Sequence, residues 1–538
     1  MKKLVVIFVA LICVSNVSIA QAPGNSFVGT WRAIASQPMI SGYVSLAIQA
    51  KGSKLEVRLL GQDQVEMPFT VAEGAIRGGR LEAEFAIVSP FVIGFMPGPV
   101  TLHATPGHEG PALDATLTDG MGRTHRLRFL PRDHASFRRF DVARLDPQGQ
   151  PLSHYRYRVP VTPEPGLNVS TADAQGMLTS ALEFAVDLYL NGRVNRGSSL
   201  LVLRNGRLLL EEYFHGMVRD RIWLVHSVSK SVTSVLAGIA VDRGETALDG
   251  PLNVHFPDYA QSRWMRSSQP NAVTLRHLLR MGNVIGWGDE SGAQQSDAYT
   301  DPRSRFLRVI VARDWLGALF DYPVLTDEPD PYYNYNTVIA NLAGEVVARS
   351  TKTHLSRQLQ DRLMQPLGES HSWFTALAKP GDRSVEDSPA LAGSLALMRP
   401  RAMAKIGQMM LDGGLWNGRR VVSAKWVQEL TSLQALHPNL AGSAYGYYWW
   451  LNKVQGSDGS DPFWVITADG YAGQQIAIIP KYALVLVRTA LDLENKGMPI
   501  GEFLTQHILP AVAPGMNFRP APIEGTDLGE PTVRLPGK

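Results

Sequence analysis

The chain has 538 residues, 45% of them hydrophobic, with 52 lysines and arginines against 49 aspartates and glutamates and a single cysteine. One hydrophobic core stops growing at roughly 250–300 residues, so this length calls for two domains. The near-neutral balance excludes a nucleic-acid surface built on net positive charge, and one cysteine excludes a disulfide framework.

Met1–Ala20 sets Lys2 and Lys3 before the apolar segment Leu4–Val14 and the small residues Ser18 and Ala20, the pattern of a secretory signal peptide. Its apolar part is shorter than the about 20 residues of a spanning helix, so the expectation is release into a bacterial periplasm or the exterior, with no stable membrane span. Cys13 lies inside this leader, and Ala10-Leu11-Ile12 before it is not the context of a lipid anchor. The mature chain then carries no thiol, no cysteine-ligated metal, and 50 basic residues against 49 acidic ones.

Residues 25–130 alternate with period two, as in Leu55, Val57, Leu59 and in Leu81, Ala83, Phe85, Ile87, with turn pairs such as Gly78-Gly79 between the runs. This predicts a small all-β domain, a barrel or a sandwich. The sequence names no partner for it. Residues 131–166 have little periodicity and several prolines, and are expected to be a linker. In the second domain, residues 167–510, Ser199–Leu203 and Leu208–Leu210 flank an Asn205-Gly206 turn as a hairpin. Apolar residues then recur at helical spacing from Val225 to Val241. Gln475–Ile479 and Ala483–Val487 around Pro480-Lys481-Tyr482 form a second hairpin, which suggests one antiparallel sheet built from both ends of the domain. Residues 511–538, rich in proline and glycine, are expected to be loosely attached.

The helical stretch opens WLVHSVSKSVTSVLAGIA, and among the lysines of the chain Lys230 alone follows a serine by three residues. Serine is a favoured helix cap and a first-turn lysine can point into water. Residues three apart also share a helix face, which puts an amine within reach of the Ser227 hydroxyl; as a base it would have to be neutral, which burial among Trp223, Val225, Val228 and Val232 favours. The four residues alone leave both readings open.

The run HSVSKSVTSVLAGIAVDRGETALDGPLNVHFPDY followed by VTLRHLLRMGNVIGWGD resembles the serine β-lactamase-related family of class C β-lactamases, esterases and 6-aminohexanoate-dimer hydrolases. DPYYNYNTVIANLAGEVV, IGQMMLDGGLWNGRRVVSAKWV, YGYYWW and DGYAGQQIAIIP follow in that family's order, over roughly Gly166–Pro510. The resemblance implies an α+β fold, an antiparallel sheet flanked by helices. It makes Ser227 the nucleophile, Lys230 the base and Tyr335 the proton shuttle, with no metal or organic cofactor. Tyr333 competes for the last role, and the nine-residue spacing to Gly344 selects Tyr335. Thr337 stands at a substrate-orienting position where the family has asparagine or serine. Ala468-Asp469-Gly470-Tyr471 matches a segment whose first residue is basic in the family, so Ala468 removes a partner for a substrate carboxylate. Beyond Gly470, the N–H of Tyr471 can join that of Ser227 as an oxyanion hole. Asp469 and His226 have no role in such a serine–lysine–tyrosine system, and Trp287, Trp449 and Trp450 are either pocket wall or core. The function implied is hydrolysis of a small-molecule ester or amide. The alternatives are a β-lactamase or D-alanyl peptidase on cell-wall-type substrates, and a non-catalytic receptor that keeps the fold.

Overall fold

The computed structural model describes residues 26–34, 43–60, 71–88, 98–119, 122–161, 163–267, 273–285, 305–310, 312, 314–322, 330–376, 386, 388–436, 443–492 and 494–523. The expected leader at 1–20, Trp287 and residues 524–538 lie outside them.

Eight strands, β1 (Gly29–Ile34), β2 (Tyr43–Lys51), β3 (Lys54–Leu60), β4 (Val71–Arg77), β5 (Arg80–Val88), β6 (Gly98–Pro106), β7 (Leu113–Asp119) and β8 (Thr124–Pro131), pair antiparallel in chain order. β8 returns to β1 through Trp31↔Pro131 and Arg32↔Leu130, so the all-β region is a closed barrel and not a sandwich. The period-two residues Val57, Leu59, Leu81, Phe85, Leu102 and Phe129 point inward and are fully buried. Eight strands leave an interior that such side chains just fill, and closure removes the unpaired edges that would otherwise invite association.

The second domain centres on a ten-stranded sheet. Its strands are β9 (Asn168–Val169), β10 (Gly197–Arg204), β11 (Arg207–Tyr213), β14 (Ala435–Leu436), β15 (Ser443–Tyr445), β16 (Trp450–Gly456), β17 (Phe463–Gly470), β18 (Gln474–Ile479), β19 (Leu484–Ala490) and β20 (Phe518–Pro520). The order is β14-β15-β16-β17-β18-β19-β10-β11-β9, with β20 on β16. Two further short strands, β12 (Trp223–Leu224) and β13 (Ala396–Met398), pair with each other, and Trp373–Phe374 pairs with the other side of β13. The hairpin β10/β11 turns at Asn205 and Gly206, both at positive φ as a primed turn requires, and it meets the hairpin β18/β19 along β10 and β19, for example at Leu201↔Val487. The pairing is antiparallel except between β11 and the added β9.

Helices cover both faces. Leu201, Ile476, Ile478, Val485 and Val487 pack toward α2 (Val228–Asp242), α3 (Thr337–Thr351) and α4 (Pro400–Leu411), while Leu200, Val202, Leu484 and Leu486 pack toward α1 (Thr179–Leu190) and the turns around Phe503–Ile508. Strands buried on both faces read as continuous apolar runs, which is why Ser199–Leu203 shows no alternation. Residues Val228–Ala240 of α2 are all buried, as expected of a helix enclosed on every side. Among the described residues no helix is long and apolar enough to cross a membrane.

Residues 131–166 connect the domains but are held down: Phe137 and Phe140 bury against Tyr43, Tyr155 hydroxyl donates to the buried Glu212, to which Arg144 and Arg158 are also paired, and Glu164 pairs with Arg401 and Lys405. These anchors are polar and aperiodic, so hydropathy does not reveal them. The segment after Pro510 is attached as far as it is described, because β20 adds to β16 and Phe518 packs on Phe463 and Tyr482.

Candidate active site

Strand β12 carries the chain beneath the end of the sheet, with Val225 N–H donating to Ala396 O at 3.0 Å. His226 then takes a left-handed turn, φ 48°, and Ser227 begins α2. A non-glycine residue held in that region stores strain of order 1–3 kcal/mol, and the pinned surroundings maintain it. Ser229 does part of the pinning, since its hydroxyl donates to His226 O and accepts from Ala396 N–H.

Ser227 occupies the cap position of α2, yet its side chain makes no cap bond. Instead Lys230 Nζ donates to Ser227 Oγ at 2.9 Å, to Thr337 Oγ1 at 2.9 Å and to Gly393 O at 2.7 Å. Lys230 is 1% exposed, while Ser227 is half-buried and so reachable from outside. The surface-lysine reading of this stretch is thereby excluded.

The second wall comes from the start of α3. Asn336 is its cap, and Oδ1 accepts from the N–H groups of Val338 at 3.0 Å and Ile339 at 3.1 Å. Asparagine is among the best caps, so the helix start is set locally, placing Tyr335 just before α3 and Thr337 at its first residue. Lys230 Nζ lies 4.6 Å from the centroid of the Tyr335 ring. Tyr335 stacks on Trp450, with 6.3 Å between centroids, while Tyr333 packs edge-on to Tyr445 and Trp450. Trp449 is fully buried in the core and Trp450 stands at the site.

The third wall is the end of β17. It pairs with β16 only as far as Trp450↔Thr467, but with β18 as far as Gly470↔Gln474, so Ala468–Gly470 has one unpaired side. A Cβ on Gly470 would lie 2.3 Å from Val225 O, so only glycine lets this strand end close on the turn that precedes Ser227. Tyr471 follows, 48% exposed, its ring edge-on to His226 at 5.6 Å. Ala468 is buried. Asp469 accepts from Thr467 Oγ1 at 3.0 Å, and burial raises its pKa against the pull of Gln475, Thr467 and Arg488. His226 is pushed down to about 3, first by burial and then by the Lys230 charge, so it is neutral at neutral pH.

Two residues of this arrangement were not legible beforehand. Gly393 supplies the carbonyl on Lys230, and its own N–H donates to Asn341 Oδ1 at 2.7 Å. A Cβ there would lie 2.7 Å from Thr337 O, so this stretch can lie against α3 only with glycine at 393. Asn341 is fully buried one turn along α3. The available signals were a lone glycine in the apolar run ALAGSLALM and a polar residue on the buried face of a helix. Thr337, expected to orient substrate, is fully buried with its hydroxyl on the lysine.

Residues 186–509 match the family model described as Beta-lactamase. The 6-aminohexanoate-dimer hydrolase of Paenarthrobacter ureafaciens is 26% identical over 303 residues, which are 54% of this chain and 71% of that protein. Esterase EstB of Burkholderia gladioli is 28% identical over 208 residues, 37% of this chain and 52% of that protein. A solved family VIII carboxylesterase superposes with a TM-score of 0.47 at 16% identity, covering 65% of this chain and 98% of its own. With the family match spanning more than half its length, this chain belongs to the β-lactamase family of serine hydrolases.

Proposed function

We propose that the chain cleaves uncharged esters or amides through an acyl-enzyme on Ser227. The observation that carries this reading is the buried Lys230, whose Nζ is held on Ser227 Oγ by two further acceptors, Thr337 Oγ1 and Gly393 O. As the neutral amine, Lys230 keeps its two N–H groups on Thr337 Oγ1 and Gly393 O and takes the Oγ proton on its lone pair as the Oγ–carbon bond forms, while the N–H groups of Ser227 and Tyr471 receive the carbonyl oxygen as it gains charge. Collapse breaks the bond to the leaving group, which takes its proton by way of Tyr335. Water then attacks the acyl ester, releases the carboxylic acid and returns the proton to Oγ. Asn341 acts as a positioning residue, holding the Gly393 peptide whose carbonyl fixes the amine.

Substrate class follows from Ala468. A lysine or histidine at that strand position can help to place a substrate carboxylate, and a desolvated charge pair contributes a few kcal/mol; alanine forgoes it. The names of the relatives, a dimer hydrolase and an esterase, support ester or amide cleavage. The pattern of residues 1–20 supports a periplasmic or secreted location.

The test is kcat/KM for p-nitrophenyl butyrate against a chromogenic cephalosporin. Ester cleavage should dominate, and Ser227→Ala should lower it by on the order of 10⁴ in a folded protein. Lys230→Arg should be nearly as damaging as Lys230→Ala, because arginine cannot give up its proton. Ester turnover surviving in Ser227→Ala refutes the nucleophile, and Ser227-dependent cephalosporin cleavage with negligible ester cleavage makes the chain a β-lactamase.

A further inference from the structure

The N–H groups of Ser227 and Tyr471 reach the site from two different sheets. Ser227 follows β12, which pairs with β13, whereas Tyr471 follows β17 of the large sheet. Among the described residues no strand pairing joins these two sheets, so no backbone ladder sets the distance between the two donors. An oxyanion donor works only within about 2.7–3.1 Å of the oxygen, so that distance has to be fixed by something else.

Gln474, the first residue of β18 and 1% exposed, spans the gap. Its Oε1 accepts from Trp223 Nε1 in β12 at 2.7 Å, and its Nε2 donates to Tyr471 O at 3.2 Å. We propose that Gln474 is a positioning residue that keeps the N–H groups of Ser227 and Tyr471 at one spacing, so that both meet the same substrate oxygen. This rests on the acyl-enzyme reading of Ser227 and adds to it a residue that acts through its neighbours.

The side chain is fully engaged. An indole N–H can only donate, so the amide atom facing Trp223 is the oxygen, and the nitrogen is turned toward carbonyls. Nε2 donates to Ala490 O at 2.6 Å as well, and Oε1 also accepts from Ala490 N–H at 3.3 Å. Both hydrogens and both lone pairs of the amide are thereby used, on three separate segments. Against Ala490 the side chain does what a peptide group would do, just beyond Gln475↔Arg488, where the β18/β19 backbone pairing ends. A buried amide bonded on every side cannot turn without leaving polar groups unpaired, which makes the bridge stiff.

The turn it holds is otherwise tied only to its own side of the molecule. Gly470 O accepts from Gly473 N–H at 3.3 Å, and Ala472 O from Asp492 N–H at 3.1 Å. Ala472 and Gly473 take φ of 62° and 89°, and a Cβ on Gly473 would lie 2.9 Å from Ala490 Cβ. Of the carbonyls of Gly470, Tyr471 and Ala472, that of Tyr471 is connected through Gln474 to β12, and Trp223 stands four residues before Ser227.

The test compares p-nitrophenyl butyrate with its thiono analogue, in which sulfur replaces the carbonyl oxygen. Sulfur is larger and a weak acceptor, so donors held at the spacing of oxygen favour the oxoester, and the ratio of the two kcat/KM values reads that spacing. Losing one oxyanion donor costs about 10²–10³ in kcat, and a displaced donor should cost less. Gln474→Met, which keeps the length without the amide, should therefore lower kcat for the oxoester about tenfold or more, leave KM within a factor of about two, and slow the thionoester less. Equal losses on both esters, or an unchanged kcat for the oxoester, in folded Gln474→Met would overturn the proposal. Trp223→Phe removes the indole donor and keeps a ring, so it should move the ratio the same way, and the double variant should be little worse than either single one because both break one bridge. Should Gln474→Met not fold, an unchanged ratio in Trp223→Phe would overturn the proposal. Ester turnover surviving in Ser227→Ala would overturn the acyl-enzyme reading and this proposal with it, whereas Ser227-dependent turnover with an unchanged ratio would remove only the role of Gln474.

Discussion

A serine at the start of a helix ordinarily turns its hydroxyl onto a free N–H of the first turn, which contributes about 1 kcal/mol. Ser227 makes no such bond, and its Oγ is instead an acceptor for Lys230. Stability given up at one residue in favour of a reactive geometry is the mark of a functional position. The same reasoning separates the tyrosines. Because Tyr335 lies against Lys230 and Tyr333 packs among Tyr445 and Trp450, Tyr335→Phe should slow ester turnover by about 10²-fold or more while Tyr333→Phe changes it little, as read from kcat. The reverse ranking would move the proton shuttle to Tyr333. His226 carries a pH consequence. Its folded pKa, about 3, lies below the ordinary value of 6.5, so the unfolded chain binds the extra proton between those limits. Stability from this group is therefore complete above about pH 6.5 and falls as pH drops toward 3, with a slope on the order of 1 kcal/mol per pH unit; His215, lowered to about 4, adds in the same direction. The unfolding midpoint in urea, followed from pH 7 to 4.5, should fall, and His226→Gln should flatten the profile.

At the scale of elements, α4 buries Arg401 and Lys405 completely, and four carboxylates from separate parts of the chain gather on this end of the helix. Glu211 of β11 pairs with Arg401, Glu369 with Lys405 and Arg399, Glu164 of the connection with Arg401 and Lys405, and Asp220 with Arg399. Removing one member of a buried cluster leaves charge without compensation and typically costs about 3 kcal/mol or more. Glu164→Gln should therefore lower the melting temperature by several degrees while kcat for an ester at 25 °C stays within a factor of two, since no member of the cluster touches Ser227 or Lys230. An unchanged melting temperature would mean that the connection is not held through this carboxylate. The same scale explains Gly470 and Gly393, each placed where one backbone passes too close to another for a side chain.

For the whole molecule, the barrel closes on its own core and the hydrolase domain packs its sheet between two others, with the Tyr43, Phe137 and Phe140 cluster at the junction. Cores this separate should melt separately. Scanning calorimetry should give two transitions, with a total enthalpy well above the van't Hoff value of either; one two-state transition would show that the junction couples the domains fully. Much of this organisation was legible in the sequence: the period of Leu55, Val57 and Leu59, the Asn205-Gly206 turn, the two hairpins and the helix beginning at Val228 are each dictated by residues close together in the chain. The relation of Ser227 to Lys230 was legible too, because three residues of helix fix it. Tertiary structure alone decided that the β domain closes as a barrel, that Gly393 and Asn341 hold the lysine, and that Thr337 faces the lysine. Those contacts join residues that are distant in the chain, and they depend on polar groups and close backbone approach, neither of which leaves a periodic trace in the sequence.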